Sequence, residues 1–252
     1  MDRATLCTDL VKGISEKRMA SYKKHTDRDD FNGVARYIWN IALCESLYPT
    51  IHCFEVALRN AVYDSLSTRH RDPNWIADEN RFRNEEAKSV AEARGSVIDE
   101  LSKKGLWQPG LTVEPERIVA KLGLGFWTGL FVRHYDQSIA IPAMNAGLKG
   151  FPRNMRTREN LYRRFDIVRA LRNRVFHHEP IWYRDDLAQC HADIVEYIGC
   201  LNPTLRKVAE LNDRFDAVYD STKGWQTIGG RIIHELLGQG EGSEASHVAN
   251  SR

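Results

Sequence analysis

The stretch RNRVFHH, Arg172 to His178, gathers the side chains of this chain best suited to chemistry. An imidazole can take or give a proton near neutral pH, and a guanidinium can hold an anion through its planar fork of donors. The spacing predicts a helix over Glu159 to His178, with Leu161, Phe165, Val168, Leu171 and Val175 in one apolar stripe and Pro180 as its stop. At about 100° per residue, Arg172 falls inside that stripe. An unpaired guanidinium buried there costs on the order of several kcal/mol, so Arg172 needs a carboxylate, a water-filled cleft or an anionic ligand. Asn173 and His177 stand four apart and share a face, so the amide can orient the imidazole or meet the same ligand. A plainer reading stays open for His177 and His178: both cap a helix C-terminus, where a cation is favoured.

A second break in pattern lies upstream. Glu55 projects into the stripe made by Phe54, Leu58 and Val62, and Arg59 follows one turn later. A buried acid also needs a partner. Either Glu55 and Arg59 form an internal structural pair, or Glu55 holds Arg172 and the two anomalies explain each other. Asn60 faces elsewhere and is the weaker candidate. His177, His178, Glu179 and His191 could suggest a cation site, but the H-E-x-x-H spacing is absent and Pro180 ends the helix that would display the ligands. No metal and no cofactor is expected.

The elements that must position these residues read as helices. One is predicted from Phe31 to Tyr48, broken by Pro49, and a second from Thr50, closed by Asp72-Pro73-Asn74. Residues 78–105 are helix-forming and highly charged, and are predicted to be a solvated helix or helical hairpin. Pro115 suits a first helical turn, in a helix that Gly123 and Gly125 interrupt, and Phe126-Trp127 reads as core. Further helices are predicted over Asp185 to Leu201 and Leu205 to Tyr219. With no repeat and no alternating strand pattern, the fold class is all-α. Residues 1–30 are expected to form a short helix and a mobile segment, 31–220 the main helical domain with 78–105 as an insertion, and 238–252 a disordered tail.

Composition narrows the function class. Of 252 residues, 42% are hydrophobic and 28% charged, enough to fold and too charged for a membrane protein. No stretch approaches the roughly 18 apolar residues of a membrane span, and MDRATLCTDLVKGISEKR lacks the apolar core of a signal peptide, so a cytoplasmic, non-membrane protein is expected. The five cysteines are odd in number and without C-x-x-C spacing, so they read as small apolar residues rather than a disulfide framework or a zinc site. Net charge is only +2, because 36 Lys and Arg nearly cancel 34 Asp and Glu. Any nucleic-acid contact must therefore be local, and the densest basic run, Arg153 to Arg174, leads into the motif.

The arrangement RNRVFHH resembles the signature of the HEPN superfamily, an arginine, often followed by a polar residue, then a histidine after four to six residues. Arg172 to His177 has four intervening residues and His178 satisfies the five-residue version. The segments YIWNIALCESLYPT, FEVALRNAV, LGLGFWTGLF and LRNRVFHHEPIWYRDDL resemble, in order, blocks of the Abi-like (abortive infection) branch of that superfamily, over roughly residues 35 to 200. The resemblance implies a HEPN-type helical bundle with additional helices. It also implies metal-independent cleavage of RNA by attack of the ribose 2'-OH on the adjacent phosphate, leaving a 2',3'-cyclic phosphate and a 5'-OH. Arg172 would stabilise the phosphorane, His177 would move protons, and Asn173 would position His177 or the phosphate, with His178, Glu55, Arg59 and Asn60 as supporting candidates. Arg172 and His177 diverge by about 140° on one helix, and the family's remedy, a homodimer that faces two motifs across one cleft, is expected here. Phage defence by abortive infection, or a toxin activity with an antitoxin or regulatory protein as partner, is the implied role. Two other classes stay open: a HEPN-like module that binds RNA or protein without cutting, and a helical scaffold in which Arg172 is a structural charge.

Overall fold

The structure, a computed structural model, describes residues 2–23, 29–220 and 223–245. Among these the chain is all-α, with no strand. The helices are α1 (Arg3–Ile14), α2 (Glu16–Met19), α3 (Asp30–His70), α4 (Asn84–Lys103), α5 (Pro115–Lys121), α6 (Leu124–Gly129), α7 (Ile141–Ala146), α8 (Arg158–Phe176), α9 (Leu187–Leu201), α10 (Pro203–Asn212), α11 (Phe215–Val218) and α12 (Gly230–Ala245). The chain divides into two compact units, one of residues 1–49, 173–191 and 212–252, the other of 50–172 and 192–211. The divisions fall inside α3, α8, α9 and the last turn of α10.

Pro49 does not break the first long helix, which runs from Asp30 to His70 with the proline inside it. Proline removes one backbone donor and its ring crowds the preceding turn, a penalty of about 3 kcal/mol. Burial outweighs it, because Leu47, Thr50, Ile51 and Phe54 on either side are fully buried. The sequence signal at Pro49 survives as the point where one unit gives way to the other.

In the unit of 1–49, 173–191 and 212–252, the apolar faces of α1 and α2 close on the start of α3: Leu6, Val11, Met19, Tyr22, Val34, Ala35 and Ile233 form one buried cluster. Residues 2–23 are thus part of a core rather than an appendage, while 24–28, where a mobile segment was expected, lie outside the described residues. Arg36, only 2% exposed, donates to the Tyr22 carbonyl at 3.1 Å and lies over the rings of Trp225 and Trp182. Those π faces and the carbonyl offset the cost of taking a guanidinium out of water. Gly229 sits against the Ala35 carbonyl so closely that a Cβ could not fit, which lets α12 and the turn before it approach α3. That closing segment, including a π-helical turn at Trp225–Gly229, carried no helix prediction. The last helix continues to Ala245, into the stretch 238–252 expected to be disordered, and 246–252 lie outside the described residues.

In the unit of 50–172 and 192–211, Phe54, Phe131, Phe151, Phe165 and Tyr197 form an aromatic cluster with centroid spacings from 5.3 to 6.2 Å around Phe165. Aromatic pairs at such separations add about 0.5–1.5 kcal/mol each beyond area burial. The charged helix α4 is helical as expected but not wholly solvated, since Val90, Ala93 and Val97 are buried on one face. Pro115 opens α5. Gly123 separates α5 from α6, whereas Gly125 lies inside α6 instead of interrupting a helix. Phe126 and Trp127 are core residues, edge-on to each other at 5.0 Å. The segment predicted as one helix from Leu205 to Tyr219 is two, because Asp213 and Arg214 separate α10 from α11.

Candidate functional site

The stripe of α8 is laid down as the sequence predicts: Leu161, Phe165, Val168, Leu171 and Val175 are all buried. With those residues turned inward, Arg172 is carried to the edge of the core, its side chain 26% exposed. Its Nε lies 3.4 Å from Glu55 Oε2 on α3. The other oxygen, Oε1, accepts the Leu124 N–H at 3.0 Å. Gly123, at the N-cap of α6, has no side chain to offer, so the Glu55 carboxylate caps that helix from outside. Glu55 is therefore held at both oxygens, by a guanidinium and by a helix N-terminus. Arg59 donates instead to the neighbouring Asn60 side chain at 3.4 Å, and Asn60 is exposed. Of the two partners open to Glu55 in sequence, the structure chooses Arg172.

The other end of the motif belongs to the unit of 1–49, 173–191 and 212–252. Helix α8 ends at Phe176, earlier than predicted, in a Schellman turn: His178 N–H donates to the Val175 carbonyl at 3.2 Å and Glu179 N–H to the Arg174 carbonyl at 2.8 Å. His178 occupies the left-handed position usually given to glycine, with φ 57°. The Arg174 and Glu179 side chains clasp the turn at 3.3 Å, Arg174 also donates to the Tyr183 hydroxyl at 2.9 Å, and Arg18 donates to the His178 carbonyl. Both imidazoles are exposed, and Asn173 is half-buried with its carbonyl accepting the His177 N–H at 2.8 Å. His177 and His178 thus do sit at a helix C-terminus, the capping position of the plainer reading, and remain open to solvent.

The basic run is less of a cationic stripe than its sequence suggests. Arg158 meets Asp136 at 3.0 Å, Arg164 donates to the Tyr197 hydroxyl at 3.0 Å, and Arg169 pairs with Asp166 at 2.6 Å. His191 is drawn into a different contact, its Nε2 2.7 Å from Asp213 Oδ2 and its ring stacked on Phe215. That approach is close enough for an ion pair but is not aligned as an N–H···O hydrogen bond. All five cysteines are free, and burial pushes the Cys44 thiol up to about 11, so it stays protonated at neutral pH.

Sequence reasoning missed Asn40, which is 3% exposed. Its Oδ1 accepts the N–H groups of Ile181 at 2.7 Å and Trp182 at 3.2 Å, fastening the strand of chain that follows Pro180. A signal existed, since Arg36 and Asn40 stand four apart in a run otherwise buried by Trp39, Leu43 and Leu47. They break the pattern as Glu55 does. No helix among the described residues is long and apolar enough to cross a membrane. Comparison of the chain with protein-family models, with curated proteins and with solved structures finds no match.

Proposed function

We propose that this protein is a metal-independent endoribonuclease of the HEPN type, acting in the cytoplasm as a homodimer, in abortive-infection phage defence or as a toxin under the control of an antitoxin or regulatory protein. The observation that carries the reading is the motif at the end of α8: an arginine anchored by Glu55 yet a quarter exposed, followed by two solvent-open imidazoles in the turn that ends the helix. The ribose 2'-OH attacks the adjacent phosphorus as its proton passes to one imidazole. The P–O5' bond breaks as the leaving oxygen takes a proton from solvent, and Arg172 stabilises the added negative charge. One subunit supplies Arg172 to the site and its partner supplies His177. Tyr48 and Phe176, ring centroids 5.9 Å apart and 51% and 39% exposed, leave apolar surface beside His177 that suits such pairing.

A second reading, a HEPN-like module that binds RNA or protein without cutting, draws support from the same pair. Arg172 already serves Glu55, and Glu55 already caps α6, so both have structural work without any substrate. Incubating the purified chain with mixed RNA and with DNA, with and without excess EDTA, separates the readings. Cleavage of RNA alone, persisting in EDTA and leaving cyclic phosphate ends, is the expected result, because DNA lacks the nucleophile. RNA retained but uncut supports the binding module, and activity lost to chelator and restored by a divalent ion rejects the metal-free assignment.

A further inference from the structure

A histidine outside the motif stands on α3 beside the Glu55 and Arg172 pair. His52 precedes Glu55 by three residues, inside the unit of 50–172 and 192–211 that also holds Arg172. Side chains three apart on a helix are neighbours, about 60° round the axis with Cβ atoms about 5–6 Å apart. Ile51, Phe54 and Leu58 are fully buried, which fixes the rotation of this stretch and turns the His52 imidazole out to solvent at the edge of the core. Glu55 lies on the same edge, its side chain 19% exposed, with one oxygen at Arg172 Nε and the other accepting the Leu124 N–H. That double hold fixes the carboxylate, and with it the guanidinium, within one helical turn of His52. An exposed imidazole, a shared carboxylate and a partly exposed guanidinium therefore follow one another along the rim of a single unit.

Cleavage by 2'-OH attack needs two proton transfers on opposite sides of the phosphorus, since the attacking and leaving oxygens lie roughly in line. One imidazole cannot reach both at once. With Arg172 from one subunit and His177 from its partner, the leaving O5' has only water to turn to, and an alkoxide is a poor leaving group. We propose that His52 is the general acid of the reaction, acting from the same subunit as Arg172 while His177 takes the 2'-OH proton. As the P–O5' bond breaks, its electron pair passes to O5', and O5' takes an N–H proton from the His52 imidazolium. The neutral imidazole then regains a proton from solvent. Glu55 touches neither oxygen and serves as a positioning residue, setting where Arg172 meets the phosphate. This role for His52 rests on the ribonuclease reading, whose missing proton donor it supplies.

A substrate whose bridging 5'-oxygen is replaced by sulfur tests it, because a thiolate departs without being protonated. Two oligoribonucleotides of one sequence, with oxygen or sulfur at the bond that wild type cuts, are incubated with the full chain and its variants. On the oxygen substrate, His52→Ala and His52→Gln should cut about 10²–10⁴-fold more slowly than wild type. On the sulfur substrate both should regain most of the wild-type rate. His177→Ala, which lacks the group that takes the 2'-OH proton, should stay dead on either. Both His52 variants should keep the wild-type helical CD signal and melting temperature, as expected for an exposed helix residue. Wild-type cleavage that the His52 variants leave unchanged overturns the assignment and keeps the ribonuclease. A defect equal on the two substrates, or a melting temperature lowered in both variants, also overturns it, by making His52 a binding or structural residue. A wild-type chain that cuts neither substrate overturns the ribonuclease reading and the assignment together, so wild type alone tells the two failures apart.

Discussion

The two adjacent histidines are chemically alike and sterically different. His177 follows the last turn of α8, with its N–H still bonded to the Asn173 carbonyl, whereas His178 is held in the left-handed region at φ 57°. For a residue with a Cβ that conformation costs about 1 kcal/mol, which glycine avoids. His178→Gly is therefore expected to raise stability by about 0.5–1 kcal/mol, read as a shift in the denaturation midpoint. His177→Ala should leave the midpoint within about 0.5 kcal/mol of wild type and abolish RNA cleavage. If instead His178→Gly kills cleavage while His177→Ala spares it, the five-residue spacing is the operative one and the strained position is the catalytic one. The same logic of unusual placement led to Glu55 and Arg172, where a misplaced charge in a stripe marked a real partnership.

At the scale of elements, the contest between local propensity and packing is clearest in α3. A proline in a helix interior forfeits the bond to the carbonyl four residues back, here that of Glu45. Pro49→Ala restores that donor and is expected to stabilise the protein by about 1–3 kcal/mol, measured by chemical denaturation. Destabilisation would mean that the surrounding side chains are packed around the proline's distortion and that the residue shapes the helix. The cap on α6 shows the converse dependence: a helix of six residues beginning after glycine has little local reason to start at Leu124, and the carboxylate of Glu55, distant in sequence, supplies one.

At the scale of the molecule, the proposed chemistry needs an arginine within α8 and a histidine just past its end to act at one phosphate. If each site takes Arg172 from one subunit and His177 from its partner, an Arg172→Ala chain co-expressed with a His177→Ala chain forms mixed dimers with one intact site. Random pairing makes about half the dimers mixed, so about one quarter of wild-type activity should return. Each variant alone should be dead. Silence in a preparation with proven heterodimers excludes independent sites shared in this way, and an active species that sediments as a monomer rejects the dimer altogether.

The helical class and the buried stripe of α8 were legible in the sequence because both depend on spacing along one helix, where about 3.6 residues per turn fixes which side chains share a face. The misfit of Arg172 and Glu55 was legible for the same reason, since a charge within an apolar stripe needs no fold to be recognised. What each charge partners was a tertiary decision: Glu55 had Arg59 one turn away and took Arg172, 117 residues on, together with the Leu124 N–H. The continuity of α3 through Pro49, the end of α8 at Phe176 and the place of residues 2–23 in a core were decided in the same way. In each, a local preference of about 1–3 kcal/mol yielded to apolar burial or to the pairing of backbone groups, terms that only the folded chain brings together.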